Sequence, residues 1–180
     1  QIDTIVYDEQ NSIGLRLEDL KENPQKTISA LCNWIGIEEN ESLYKMTAQG
    51  KKWWGDPSSP EYEKNGMDPF NKTPIYRKIG SVFSTSDQFI LNTLFYPFNV
   101  SFGYAPEDLK QFKADLSTIR PLLDQLFDFE KVILKRTKAK PEIFMTSGPY
   151  LYFRSSLIER WNTLDEFYTY PNMIPALKIN

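Results

Sequence analysis

Apolar residues recur at helical spacing over much of this chain and at strand spacing almost nowhere. The clearest stretch is Ile28, Leu31, Cys32 and Ile35, whose three- and four-residue intervals put all four on one side of a helix. Asn23 stands before it as an N-cap, and Pro24 takes the first helical position, where a missing N–H costs nothing. Gly36 follows as the stop. A second short helix is predicted from about Asn40 to Met46. Ser84 and Asp87 have the spacing of a capping box, with Asp in place of the usual Glu. The helix behind it turns Phe89, Ile90 and Leu94 inward, with Phe95 at the margin, and ends before Pro97. Pro106 is expected to open another helix, with Leu109, Phe112, Leu116 and Ile119 on one face. Pro121 either kinks that helix or starts a new one, and Leu122, Leu126, Phe129 and Ile133 continue the apolar face. A last helix is predicted over residues 155–168, with Leu157, Ile158, Trp161 and Leu164 as its stripe.

Period two appears once. Ile13, Leu15 and Leu17 alternate as in a strand, which Gly14 weakens. Residues 50–74 are irregular, punctuated by Gly50, Gly55 and Gly66 and by Pro57, Pro60, Pro69 and Pro74. A loop of that length is usually functional or disordered, and Trp53, Trp54, Tyr62 and Phe70 argue against plain disorder. Ser147-Gly148-Pro149-Tyr150 reads as a turn. The coarse picture is mainly α, with at most one or two strands.

Composition narrows the function more than the fold. Hydrophobic residues make up 41% of the 180 and aromatics 14%, enough for a core. A net charge of −3 gives no case for a nucleic-acid binder. The charge is uneven, however. Residues 1–42 hold nine acidic and three basic side chains, while Lys131, Lys135, Arg136, Lys138 and Lys140 form a run without an acid. That run reads as a solvated helix end. The single cysteine, Cys32, excludes an internal disulfide and sits on the apolar side of its helix as a core residue. With no histidine, neither a His metal site nor a His general base is available. No apolar run is long enough to span a membrane.

Among charged residues, Glu18 and Asp19 read as scaffold. Adjacent side chains diverge, and negative charge is favoured beside the helix start that follows. Arg16 could pair with either or reach an anion. The segment Gly50-Lys51-Lys52-Trp53-Trp54-Gly55 is more suggestive, because Lys51 and Lys52 could neutralise a sulfate or phosphate while Trp53 and Trp54 offer flat surfaces. The bland alternative, a Trp in the core and solvated lysines, carries equal weight. Tyr76-Arg77-Lys78-Ile79-Gly80 is a smaller basic and aromatic cluster. No P-loop, Rossmann glycine pattern, CxxC, HExxH or GxSxG occurs.

The run from Arg16-Leu17-Glu18-Asp19-Leu20 through Asn23-Pro24 to Leu31 and Ile35-Gly36-Ile37 resembles the back half of sulfotransferases that use 3′-phosphoadenosine 5′-phosphosulfate (PAPS). Leu17 departs from the family's aromatic residue there. The Lys-Lys-Trp-Trp segment, the Arg77-Lys78 cluster and Phe102-Gly103-Tyr104 are similar to later parts of the carbohydrate-directed or bacterial branch. The resemblance implies the C-terminal portion of a P-loop-like α/β sulfotransferase fold over residues 1–105, with a helical extension over 106–180. It also implies that the phosphosulfate loop and catalytic base lie upstream of Gln1, in an N-terminal segment or chain that would be a partner. The chain would contribute cofactor-binding Lys51, Lys52, Arg77 and Lys78 and acceptor-binding Trp53 and Trp54 to sulfuryl transfer onto a small-molecule or carbohydrate acceptor. An orphaned half-domain would also tend to form homo-oligomers. Family members occupy the cytoplasm or the Golgi lumen. The competing expectation is a non-catalytic helical interaction or accessory module derived from that scaffold.

Overall fold

Leu17 opens a helix instead of closing a strand. In the structure, a computed structural model that describes residues 12–45, 47–48, 51–52 and 82–179, helix α1 spans Leu17–Glu22 and α2 spans Pro24–Ile35. The predicted strand over Ile13–Leu17 reduces to one parallel bridge between Gly14 and Ala176. Gly14 N–H donates to the Pro175 carbonyl and Leu177 N–H to the Gly14 carbonyl, each at 2.8 Å. The chain falls into two compact units. The smaller contains α1, α2, a 3₁₀ turn at Glu41–Tyr44, strands β1 (Thr47–Ala48) and β2 (Lys51–Lys52), and residues 174–179. The two strands pair antiparallel.

The Glu-Asp-Leu…Asn-Pro segment that suggested a sulfotransferase encodes a tight joint between two helices. The Asp19 carbonyl accepts from Asn23 N–H and from the Thr27 hydroxyl, both at 2.9 Å, while the Asp19 carboxylate lies 3.5 Å from Arg16 Nε. Asn23 precedes α2 without capping it through its side chain, and Pro24 holds the first position. Ile28 and Cys32 are buried, whereas Ile35 points out. Gly36, at φ +80°, ends the helix in the left-handed conformation, where a Cβ would be strained.

The larger unit, described over residues 82–173, is built from helices α3 (Thr85–Leu94), α4 (Tyr96–Ser101), α5 (Leu109–Ile119), α6 (Asp128–Thr137), α7 (Pro141–Met145) and α8 (Gly148–Phe167), with a 3₁₀ turn at Arg120–Leu122. Its core is one cluster of Ile90, Leu94, Phe112, Leu116, Ile119, Leu123, Phe127, Leu157 and Leu164. The Tyr96 ring stacks on Phe112 at 4.2 Å between centroids, and Trp161 Nε1 donates to the Leu116 carbonyl at 2.8 Å. The Tyr96 hydroxyl accepts Asp108 N–H at 2.6 Å, so the polar groups of both half-buried aromatics have partners.

Sequence and structure differ in phase and in boundaries. Asp108, whose carboxylate accepts from Gln111 N–H, starts α5 two residues later than Pro106 suggests. Pro121 lies inside the 3₁₀ turn, which shifts the inward phase beyond it. Leu123, Phe127 and Leu134 are buried in consequence, and Ile133 is exposed. Ser147-Gly148-Pro149-Tyr150 is the start of the longest described helix, because Pro149 needs no N–H partner in a first turn. The short helix expected near Asn40 is the 3₁₀ turn capped by Asn40.

The α/β expectation is overturned. Among the described residues the only strands are the two-residue pair β1–β2, and no parallel sheet is present. A mononucleotide-binding core needs several parallel strands with helices on both faces. The described residues form a helical protein instead.

Candidate interaction surface

The N-terminus of α6 has no capping side chain of its own. Its N-cap residue is Phe127, which offers no acceptor, so another element must satisfy the first donors. Asp87 does so from α3. One of its oxygens accepts Asp128 N–H at 2.9 Å, and the other accepts Phe129 N–H at 3.0 Å and Ser84 N–H at 3.2 Å. Ser84 Oγ in turn accepts Asp87 N–H at 3.1 Å and donates to the Asp128 carboxylate at 2.7 Å. One buried carboxylate thus holds two helix N-termini, where the backbone dipoles favour negative charge.

Glu130 lies in the same first turn of α6. It accepts Phe127 N–H at 2.7 Å and pairs with Arg154 of α8. Arg154 also donates to the Leu123 carbonyl at 3.2 Å and lies over the rings of Phe127 and Tyr150, 4.4 and 5.0 Å from their centroids. Burial pushes the Glu130 carboxyl above its ordinary value of 4.5, against the pull of Phe127 N–H and Arg154. A raised carboxyl pKa means that the folded protein holds the proton more tightly than the unfolded chain does. The stabilisation from that proton is complete below 4.5 and is lost as pH rises through the folded value. The stability of the protein relative to Glu130→Gln should therefore fall with rising pH just above 4.5, measured by urea unfolding across that range. A flat or rising difference would contradict the assignment. Asp128, lowered by its hydrogen bonds to Lys131 and Ser84, acts in the opposite sense. Its contribution is present above 3.8 and is lost as pH falls through the lower folded value.

These buried contacts fix the placement of α6 and α8, and what they leave outside is notable. Only Glu130 and Leu134 of α6 are buried. Val132 and Ile133 are exposed beside Lys131, Lys135 and Arg136. Lys138, at φ +53°, turns the chain out of α6, and Lys140 precedes α7. There Ile143 is 66% exposed, and at the start of α8 Leu151 and Tyr152 are 54% and 65% exposed. Tyr150 packs inward against Phe144, 5.4 Å between ring centroids. Five cations, of which Lys131 is paired with Asp128 at 2.8 Å, share this stretch with these exposed apolar side chains and with the exposed Glu142. The basic run was legible in the sequence. Its apolar companions were not, because reading 147–150 as a turn hid the outward face of α8.

Clefts lie elsewhere among the described residues, one of them about 510 Å³ and bordered by Lys26, Asn33, Glu39 and Lys178. Another, of about 590 Å³, lies along α3, α4 and α5, lined in part by Phe89, Phe95, Tyr96, Asn99 and Asp115. Its polar groups already serve the fold. Thr93 donates to the Phe89 carbonyl, the Asn99 carbonyl accepts from Tyr104 and Ala105, and Asp115 accepts from Gln111. No group of acidic or cysteine side chains among the described residues could hold a metal ion, and no described helix is long and apolar enough to cross a membrane.

Of the residues expected to bind PAPS or its acceptor, Lys51 and Lys52 form β2, with their backbones paired to Ala48 and Thr47. Trp53, Trp54, Arg77 and Lys78 lie outside the described residues. With no parallel sheet among the described residues to cradle a nucleotide, the assignment of PAPS as donor is withdrawn, and the sulfotransferase activity with it. Protein-family models, curated proteins and solved structures contain no match to this chain. The described residues thus form a mainly helical protein with exposed cations and exposed apolar side chains on α6, α7 and the start of α8.

Proposed function

We propose that the chain is a helical interaction module whose α6–α8 face binds an acidic, apolar segment of a protein partner. The observation that supports this most is the joint exposure of Val132, Ile133, Ile143, Leu151 and Tyr152 beside five cations. Contiguous exposed apolar surface with a charged rim marks an interaction site. An amphipathic helix with an apolar stripe flanked by glutamates is the complementary form. The apolar strip supplies affinity, and the cations supply steering and register.

A fluorescent designed helix of that pattern should bind the protein with an affinity that falls as salt rises. Lys135→Glu with Arg136→Glu should weaken binding by about tenfold or more. Lys51→Ala with Lys52→Ala should leave it unchanged, since the proposed face is made of α6–α8 residues alone. Binding that ignores the first pair of substitutions, or binding only to vesicles of anionic lipid, would overturn the proposal.

A further inference from the structure

A surface of matching chemistry exists on the protein itself. At the end of α2 and in the 3₁₀ turn beyond it, Trp34, Ile35, Ile37 and Leu43 are 42%, 51%, 48% and 40% exposed. They lie among exposed Glu38, Glu39 and Glu41. Lys45 lies 3.7 Å from Glu41, and Lys26 and Lys178 border one cleft with Glu39, which leaves Glu38 as the carboxylate of the three without a cation beside it in these contacts. Glu39 accepts the Tyr44 hydroxyl at 2.6 Å, which ties the turn back on itself and presents the carboxylates beside the apolar side chains. The surface is apolar and acidic where the α6–α8 face is apolar and basic.

We infer that the partner of the α6–α8 face is this acidic surface on a second copy of the chain. The inference rests on the interaction-module reading and names its occupant. Each copy carries both surfaces on different elements, so the contact is head-to-tail. Such contacts extend into open chains or close into rings, according to the rotation between neighbours. Burying the two apolar strips against each other removes exposed Ile, Leu and Trp from water, and the glutamates meet lysines and Arg136 at the rim.

Sedimentation velocity of the whole chain tests this. The wild-type protein should grow in mass with concentration, and the association should weaken in about 1 M salt, where the charges are screened. Lys135→Glu/Arg136→Glu and Glu38→Lys/Glu39→Lys variants should each associate at least about tenfold more weakly. Mixed in equal amounts they should associate again, because the two intact faces pair and the two charge-reversed faces are complementary to each other. A wild-type chain that stays monomeric at every concentration would overturn the inference without any variant, and so would a mixture that stays monomeric where the wild type associates. If the acidic designed helix still binds the monomer, the docking face stands and only its occupant is wrong. If the helix does not bind either, the interaction-module reading falls as well.

Discussion

Replacing Asp87 by alanine is expected to destabilise the larger unit by about 3–5 kcal/mol, most of the margin of a marginally stable domain. The side chain is 1% exposed and accepts three backbone N–H groups, from Ser84, Asp128 and Phe129. Alanine leaves these donors without their acceptor at two helix starts. Water cannot reach them easily, and Phe127 offers no substitute. Asp87→Asn keeps one acceptor oxygen but loses the charge, so about half that cost is expected. Urea unfolding gives the magnitude. Amide exchange gives the mechanism, because Asp128 and Phe129 should lose protection before the middle of α6 does. A loss below about 1 kcal/mol, or unchanged exchange at both amides, would show that the shared cap carries no weight.

Arg154→Met should cost a similar amount, about 3–5 kcal/mol at neutral pH, for a different reason. It removes the cation beside Glu130 while leaving that carboxylate 2% exposed. The expense lies in the uncompensated charge and not in the lost attraction. Adding Glu130→Gln to Arg154→Met should therefore recover most of the loss, since the neutral amide still accepts Phe127 N–H. The single Glu130→Gln change should be milder than Arg154→Met. A double variant as unstable as Arg154→Met alone would contradict this, and would locate the cost in the packing of the guanidinium against Phe127 and Tyr150.

The legible part of the sequence is the part written in local terms. Ser84 and Asp87 announced a capping box, and both of its reciprocal bonds are present. Nothing local announced that the same Asp87 also caps α6, because that depends on packing across 41 and 42 positions. Pro24 and Gly36 bounded α2 correctly, since each acts through its own backbone. Phase beyond Pro121 was lost because a 3₁₀ turn rotates the stripe by an amount that composition does not encode. The sulfotransferase resemblance had a physical root of its own. Arg16, Asp19, Asn23 and Thr27 are joined here by local bonds between two consecutive helices, and such a joint does not require a parallel sheet behind it. The basic run reads in the sequence as a solvated helix end, and its cations are exposed on α6 and just past its end. Cations in sequence are visible, but apolar exposure depends on which residues the core has already claimed.

The most direct measurement of the central claim is an amide ¹H–¹⁵N shift map of the protein titrated with the acidic amphipathic helix. Perturbations should concentrate between residues 131 and 152, on Val132, Lys135, Arg136, Ile143, Leu151 and Tyr152. The amides of α5 should stay in place. Shifts gathered instead around the cleft between α3 and α5, or none at saturating peptide, would contradict the assignment of the α6–α8 surface as the docking face.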